Sequence, residues 1–175
     1  MHSQFGQPSG DNLRVRILPA SEVHFIMAEA AQRGWSVNGS AQVHFNMGIQ
    51  ASFDEWNIGD ASGYIAGLPL FDDSNLVQIM DQKWIAGFAS AHEAYFDWRR
   101  TSLPYIQTGP SAQSDEIPVR AIYSDSDKNI NLDNYMAAVS NLSNTSHTDD
   151  VPGNDGDDSC WSEPWIVQGH SPWND

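Results

Sequence analysis

Residues 75–101, NLVQIMDQKWIAGFASAHEAYFDWRRT, carry the clearest helical pattern in this chain. Apolar side chains recur there at three- and four-residue steps, as they do on the buried stripe of a helix. In the first half of the segment, the stripe consists of Leu76, Ile79, Met80, Trp84 and Phe88. After a break at 89–90, a second run consists of Ala91, Ala94, Tyr95 and Trp98. The pattern predicts two consecutive helices, 75–88 and 91–101, with Trp84 and Trp98 in the core.

A second helix pair is predicted upstream. Ser21 is typical of a helix N-cap and Gly34 is typical of the residue that follows a helix, so we expect a helix over 21–33. Its predicted buried face consists of Val23, Ile26, Met27, Ala30 and Ala31. The partner helix follows Ser40 and covers 41–56. Because two helices joined by a short turn form an αα-hairpin, we predict a mainly α fold of stacked αα-hairpins with long loops.

The segments that connect and follow these helices are less regular. The glycine-rich insertion 57–74 also contains apolar side chains, so we expect it to be an ordered loop. Residues 117–123 are expected to form a short strand or an extended strut. A last helix is expected to begin at Asn131 or Asp133 and to end near Val139.

The two ends of the chain differ from its centre in composition. Residues 1–12 are polar and are predicted to be a disordered lead or a truncated loop. The tract 140–159 is acidic and of low complexity, and it is expected to lack order because it has little apolar surface to bury. The tryptophan-rich segment after it either docks back onto the body or is a wrongly translated end.

Three segments, in this order, resemble the SusD/RagB family, and more closely its branch of SusD-like nutrient-binding lipoproteins. They are 17–35, ILPASEVHFIMAEAAQRGW; 82–104, QKWIAGFASAHEAYFDWRRTSLP; and 117–135, IPVRAIYSDSDKNINLDNY. The resemblance covers roughly residues 13–139 and matches the C-terminal part of the family. The chain departs from the family pattern at Ser102, where Gly is usual, at Ser124, where Pro is frequent, and at Asp127, where Glu is common.

The resemblance implies a tetratricopeptide-like α superhelical fold and a non-catalytic lipoprotein on the surface of a bacterial outer membrane. Its implied ligand is an oligosaccharide or another nutrient, delivered to a TonB-dependent transporter of the SusC type. The start of the chain has neither a basic nor an apolar signal region, so we expect a C-terminal fragment whose lipid anchor lies elsewhere. The expected division is a lead, 1–12, a SusD-like part, 13–142, and a tail, 143–175.

Composition excludes several other classes of function. The chain has 23 acidic and 8 basic residues, and a net charge of -15 repels phosphate backbones, so we expect no nucleic-acid partner. Its single cysteine, Cys160, cannot form an internal disulfide. The histidines lack metal-ligand spacing, and neither a glycine-rich phosphate loop nor a G-x-S-x-G motif is present, so we expect no metal and no cofactor.

The candidate ligand-binding residues lie around the glycine-rich insertion. Sugars present apolar C–H faces that stack on aromatic rings, while short polar side chains bind their hydroxyls. Trp56 and Tyr64 are the candidate stacking rings, and Asn57 and Asp60 are the candidate hydroxyl ligands. We predict that these four residues bind carbohydrate.

Two rival functions remain open at this stage. A stack of helical hairpins also suits a protein-interaction scaffold. A glycoside hydrolase would need a pair of carboxylates, and Glu93 or Asp54 are the candidates.

Three basic residues stand out because such residues are scarce in this chain. In the family that the chain resembles, the double arginine closes the helix and the Ile-Pro-x-Arg segment packs nearby, so the resemblance implies that Arg99, Arg100 and Arg120 are structural ion-pair partners. The spacing also places Asp97 close to Arg100 on one helix surface. A clamp for a ligand carboxylate is the alternative.

Overall fold

The computed structural model describes residues 16–112, 114, 116–148 and 157–169. Within these ranges every regular element is a helix, and the mainly α fold is confirmed. The α-helices are α1 Ala20–Gln32, α2 Ala41–Glu55, α3 Ser62–Ala66, α4 Val77–Ala86, α5 Ala91–Thr101, α6 Asp125–Ile130 and α7 Leu132–Val139, and a 3-10 turn occupies Gly87–Ala89. The chain divides into two compact units, Met1–Ala94 and Tyr95–Asp175. The predicted lead, 1–12, and Trp173 lie outside the described residues.

The ends of the first two helices follow from local sequence signals, with one exception. The hydroxyl of Ser40 accepts a hydrogen bond from the backbone N–H of Val43, so Ser40 is the predicted N-cap of α2. Gly34 has a φ of 76° and ends α1 as predicted. Ser21 was predicted as the N-cap of α1, but this prediction is wrong. The helix starts one residue earlier, after Pro19, and Ser21 lies buried inside its first turn.

Helices α1 and α2 pack along their lengths around Phe25. The Phe25 ring meets Phe45 of α2 edge to face, with 6.3 Å between centroids. A Cβ added at Gly48 would lie 2.9 Å from two ring atoms of Phe25, so only glycine lets the two helices approach this closely. The predicted buried face of α1 is therefore wrong: Phe25 and Ala28 are buried, whereas Ile26 is 45 % exposed.

Helix α4 contacts both α1 and α2, and its side chains Ile79 and Met80 are fully buried, as the helical pattern predicted. The same pattern is wrong for Trp84 and Phe88, which are 38 % and 72 % exposed. The α-helix ends at Ala86 and continues as a 3-10 turn, which has three residues per turn rather than 3.6. This change of period begins after Trp84, so it bears on the exposure of Phe88 alone.

The second unit has its own core, formed by Trp98, Val119 and Trp161. The indole N–H of Trp161 donates to the carbonyl of Glu116 at 3.0 Å, and the carbonyl of Cys160 accepts from the N–H of Val119 at 3.0 Å. Trp98 was predicted to be a core residue, and this is confirmed. Of the two alternatives for the tryptophan-rich end, docking onto the body agrees with these contacts of residues 157–169.

A buried carboxylate joins this docked segment to the rest of the unit. Asp158 has no solvent-exposed surface, and its carboxylate contacts the Arg120 guanidinium at 2.7 Å and the Lys128 ammonium at 3.5 Å. The backbone N–H of Tyr123 donates to it as well, at 3.3 Å. The ion-pair role predicted for Arg120 is therefore confirmed. The expectation that the acidic tract lacks order is wrong at its end, because Asp158 and Ser159 are fully buried.

The other two arginines of this unit differ from each other. Arg100 contacts Asp97 at 2.9 Å, three residues before it, as predicted. Arg99 instead lies over the ring of Tyr95, with 5.6 Å from its guanidinium carbon to the ring centroid. Its Nε is buried and has no hydrogen-bond partner among the described residues. The predicted ion pair of Arg99 is therefore wrong within the part of the chain that the structure describes.

The last helix, α7, follows Asn131 and ends at Val139, as predicted. Helix α6 was not predicted, although its N-cap carries a signal. The hydroxyl of Ser124 accepts from the N–H of Asp127 at 3.3 Å. Residues 117–123 form no strand within the described chain, and they contain a bend at Val119 and Arg120.

Ser102 follows α5 with a φ of 61°, a left-handed conformation that costs an L-residue about 1–2 kcal/mol per residue. We expect Ser102→Gly to raise the free energy of unfolding by about 0.5–1 kcal/mol, after the greater freedom of glycine in the unfolded chain is subtracted. Urea denaturation measures this change. Ser102→Ala is the matched control, because it removes the same hydroxyl but keeps the Cβ. An equal response of both variants would contradict the conformational explanation.

Candidate functional site

The insertion between α2 and α4 is an ordered loop, as predicted, and glutamine side chains hold it in place. The amide of Gln50 in α2 donates to the carbonyl of Gly59 at 3.2 Å and accepts from the N–H of Ala61 at 2.9 Å. These two bonds fix the turn that leads into α3. Ala61 is fully buried below it. The Gln50 amide therefore fixes the backbone that carries the residues on the outer side of this turn.

The second half of the insertion is held in the same manner. The amide of Gln78 in α4 accepts from the N–H of Asp72 at 2.6 Å and donates to the carbonyl of Leu70 at 3.1 Å. Gln32 of α1 donates to the carbonyls of Asp72 and Asn75. The hydroxyl and the backbone N–H of Ser74 both donate to the carboxylate of Asp72 and lower its pKa. These glutamine contacts had no signal in the sequence.

Two of the predicted site residues have a clear local role. Asp60 accepts from the N–H of Ser62 at 3.3 Å and from the hydroxyl of the same residue, and thereby fixes the start of α3. Asn57 has a φ of 53°, and its N–H donates to the carbonyl of Asp54 at 3.1 Å where α2 ends. Both side chains belong to exposed residues. Their local roles leave them open to solvent and therefore compatible with ligand contacts.

Of the two predicted stacking rings, Tyr64 in α3 is the more exposed to solvent. It is 39 % exposed, and one part of its ring packs on Phe53 of α2 with 5.5 Å between centroids. Its hydroxyl donates to the side-chain carbonyl of Gln82 in α4 at 3.1 Å. The ring is thus fixed by an apolar contact and a hydrogen bond while part of it remains in solvent. Gln82 is a neighbour that the sequence analysis did not identify.

Trp56 has different neighbours from Tyr64. The guanidinium of Arg16 lies 4.1 Å from the centroid of its ring, and the ring of Phe88 meets it edge to face at 6.5 Å. Arg16 is also paired with Glu55, the residue before Trp56. One face of the indole is therefore covered by a cation. A sugar could stack only on the other face or after Arg16 moves.

A second surface, which we call the α4 groove, is lined by Trp84, Ile85, Gly87, Phe88, Ala91 and Ala94. It is open and encloses about 450 Å³. Apart from the indole N–H of Trp84, none of these side chains has a hydrogen-bonding group. The groove offers rings for stacking but few partners for hydroxyls, so the surface around Tyr64 is chemically better suited to a sugar.

The carboxylates considered for catalysis have ordinary structural contacts. Asp54 is exposed and accepts from the amide of Gln50 at 2.8 Å. Glu93 lies 3.4 Å from the ring nitrogen of its neighbour His92. Burial raises the pKa of Asp81 in α4, but this carboxyl was not a predicted site residue.

No cluster of three or more metal-ligating side chains occurs within the part of the chain that the structure describes. Over the same residues, the helices lack the length and apolar character that a bilayer crossing requires.

Helices α1 and α2 form an antiparallel pair of the tetratricopeptide-like type, and the long ordered insertion separates this pair from α4 and α5. This architecture is that of a mainly helical protein of the hairpin-repeat class. The chain belongs to the SusD-like family: residues 2–124 match the family model described as "Starch-binding associating with outer membrane". The family predicted from the sequence is thereby confirmed. A search of curated proteins finds no match.

Solved structures give the same result for the fold. A SusD-like protein from Bacteroides thetaiotaomicron is 26 % identical, with a TM-score of 0.66, over 83 % of this chain and 36 % of its own. A SusD homolog from Bacteroides ovatus is 25 % identical, with a TM-score of 0.66, over 84 % and 36 %. A chitin-binding SusD homolog from Flavobacterium johnsoniae is 24 % identical, with a TM-score of 0.64, over 90 % and 37 %. The chain thus spans little more than a third of the length of these relatives.

Proposed function

We propose that this chain is part of a non-catalytic, glycan-binding protein that works at the surface of a bacterial outer membrane. The observation that carries the proposal is the match of residues 2–124 to a family described as starch-binding and associated with the outer membrane. A solved relative described as chitin-binding supports the same class of ligand. By the family resemblance, the glycan passes to a TonB-dependent transporter of the SusC type, and a lipid anchor provides the membrane attachment.

Within this chain we propose that Tyr64, Asp60, Asn57 and Trp56 contact the sugar. Tyr64 supplies a half-exposed ring whose orientation is fixed by Phe53 and Gln82. The exposed polar residues Asp60 and Asn57 supply hydroxyl partners. Trp56 contributes its face opposite Arg16.

The ring of Tyr64 is the most direct test of this site. We expect Tyr64→Ala to weaken binding of malto- or chito-oligosaccharides by about 1–3 kcal/mol, by analogy with the stacking of nucleic-acid bases on aromatic side chains. Tyr64→Phe keeps the ring and loses the hydrogen bond to Gln82, so it should weaken binding less. Isothermal titration calorimetry on the full chain measures both changes.

The matched control is Tyr105→Ala, which removes a tyrosine ring that is 66 % exposed in the other unit. It should leave the affinity unchanged. Equal affinities for wild type, Tyr64→Ala and Tyr105→Ala would contradict the assignment of Tyr64. A large drop in melting temperature for Tyr64→Ala without loss of affinity would mean that this ring only stabilises the fold.

The rival functions have separate tests. Release of reducing sugar that is lost in Glu93→Gln or in Asp54→Asn would contradict the non-catalytic proposal. Capture of membrane transporters in a pull-down, with no signal on a glycan array, would favour the protein-interaction scaffold. Capture of a SusC-type transporter together with sugar binding is the result that we expect.

A further inference from the structure

The glutamines that contact the insertion differ in how much of each side-chain amide the fold uses. Gln50 and Gln78 each accept from a backbone N–H through the carbonyl and donate to a backbone carbonyl through the nitrogen. Gln82 of α4 uses only its carbonyl, which accepts from the hydroxyl of Tyr64 at 3.1 Å. The nitrogen of the Gln82 amide has no hydrogen-bond partner among the described residues. Gln82 therefore carries two N–H donors that internal contacts leave unused.

These two donors lie beside the ring of Tyr64. The oxygen and the nitrogen of an amide share one carbon, so the nitrogen is close to the hydroxyl that the oxygen binds. The bond itself is exposed to solvent, and so is part of the ring. Phe53 fixes the ring from α2, while α4 carries Gln82. An apolar face next to a polar donor is the combination that a sugar requires, because its C–H face stacks while its oxygens accept hydrogen bonds.

The charges of the first unit favour an uncharged acceptor for these donors. In the described residues 16–94, every Lys and Arg has an ion-pair partner: Arg16 pairs with Glu55, Arg33 with Glu29 and Lys83 with Glu22. The carboxylate of Asp60, four residues before Tyr64, accepts from Ser62 and forms no ion pair within the same residues. A negatively charged sugar would be repelled by this carboxylate. A neutral sugar oxygen meets no such penalty.

We propose that Gln82 is a further glycan-binding residue, whose side-chain amide donates to an uncharged oxygen of the sugar that stacks on Tyr64. The assignment of Gln82 rests on the glycan site proposed above for Tyr64. The acceptor is a hydroxyl or an acetamido carbonyl, since both offer lone pairs to an amide N–H. The Tyr64 hydroxyl, by holding the carbonyl of Gln82, leaves the nitrogen available to the ligand.

The first test is Gln82→Met, which removes the amide and keeps an unbranched side chain with a similar preference for the helix. We expect maltohexaose and chitohexaose to bind about three- to tenfold more weakly, the effect of one lost hydrogen bond. Isothermal titration calorimetry on the full chain measures this change. Gln42→Met is the matched control, because Gln42 is an exposed glutamine of α2, and it should leave both affinities unchanged. Unchanged affinities for Gln82→Met would overturn the assignment.

A double-mutant cycle with Tyr64→Phe separates contact with the sugar from support of the ring. Tyr64→Phe keeps the ring and the Gln82 amide but removes the hydrogen bond between them. If Gln82 contacts the sugar, Gln82→Met weakens binding in the Tyr64→Phe background as well, and this is the result that we expect. A loss that appears in the wild type and vanishes in that background would mean that Gln82 only holds the ring, which overturns the proposal.

Gln82→Glu distinguishes the two kinds of acceptor. Its carboxylate still accepts from the Tyr64 hydroxyl, but it has no N–H to donate. A sugar hydroxyl can reverse its role and donate to the carboxylate, whereas an acetamido carbonyl cannot. A larger loss for chitohexaose than for maltohexaose therefore identifies the carbonyl, and equal small losses identify a hydroxyl. Either result agrees with a contact at Gln82.

A measurement on the wild type requires no variant to fold. The side-chain amide proton–nitrogen NMR signals of Gln82 should shift as sugar is added, with the Kd that calorimetry gives. Binding of sugar without any shift of these signals would overturn the assignment of Gln82 and leave the proposed function intact. Failure of the wild type to bind any glycan would instead contradict the proposed function, and the assignment of Gln82 with it.

Discussion

Asp158→Ala should lower the free energy of unfolding of the second unit by about 3–5 kcal/mol, the cost of removing one partner from a buried ion pair. The carboxylate is fully buried, and its partner Arg120 has a side chain that is only 10 % exposed. Without Asp158, the guanidinium of Arg120 would remain largely buried without this carboxylate, and the ammonium of Lys128 would lose one of its contacts. The backbone N–H of Tyr123 would lose its acceptor too. Urea denaturation followed by circular dichroism measures this loss.

One variant separates charge from shape at residue 158, and a second variant at the preceding residue is the control. Asp158→Asn keeps an oxygen acceptor for Arg120 and Tyr123, so we expect a smaller loss, of about 1–3 kcal/mol. Asp157→Ala removes the preceding carboxylate, which is exposed and bonds to Asn144, and should change stability by about 0.5 kcal/mol or less. Similar losses for Asp157→Ala and Asp158→Ala would contradict the central role of the buried pair.

The helix ends at Ser40 and Gly34 were predictable because they depend on neighbouring residues. Ser40 and Gly34 act on groups within a few positions, so the local sequence contains the whole interaction. The pair of Arg100 with Asp97 was predictable for the same reason. Ser102, which follows α5, has a left-handed φ although it has a side chain.

It was harder to predict which side chains are buried and which residues can contact a ligand, because both depend on residues that are distant in the sequence. On α1, both Phe25 and Ile26 are apolar, and Gly48 on another helix is what admits the Phe25 ring. Trp56 looked available for a ligand, yet Arg16, forty positions earlier, covers one face of its ring. The insertion around Tyr64 depends on amides from α1, α2 and α4, and glutamines on helices give no sign of the carbonyls they bind.

Phe25→Ala should lower the free energy of unfolding of the first unit by about 3–5 kcal/mol. The ring is 1 % exposed, and it packs against Phe45 and the bare backbone at Gly48, so its removal leaves a cavity between α1 and α2. Ile26→Ala is the matched control on the next residue. Because Ile26 is 45 % exposed, we expect a loss of about 1 kcal/mol or less. A larger loss at Ile26 than at Phe25 would mean that the helix presents the other face to its partner.

A change at Gly48 tests the contact between residue 48 and the Phe25 ring directly. In the wild type, Gly48→Ala places a Cβ 2.9 Å from the Phe25 ring, and we expect a loss of about 1–3 kcal/mol from overpacking. In a Phe25→Ala background the ring is gone, and alanine is preferred over glycine inside a helix by about 1 kcal/mol. Gly48→Ala should therefore stabilise the double variant although it destabilises the wild type. A double-mutant cycle measured by urea denaturation tests this reversal, and additive effects would contradict direct contact between the Phe25 ring and residue 48.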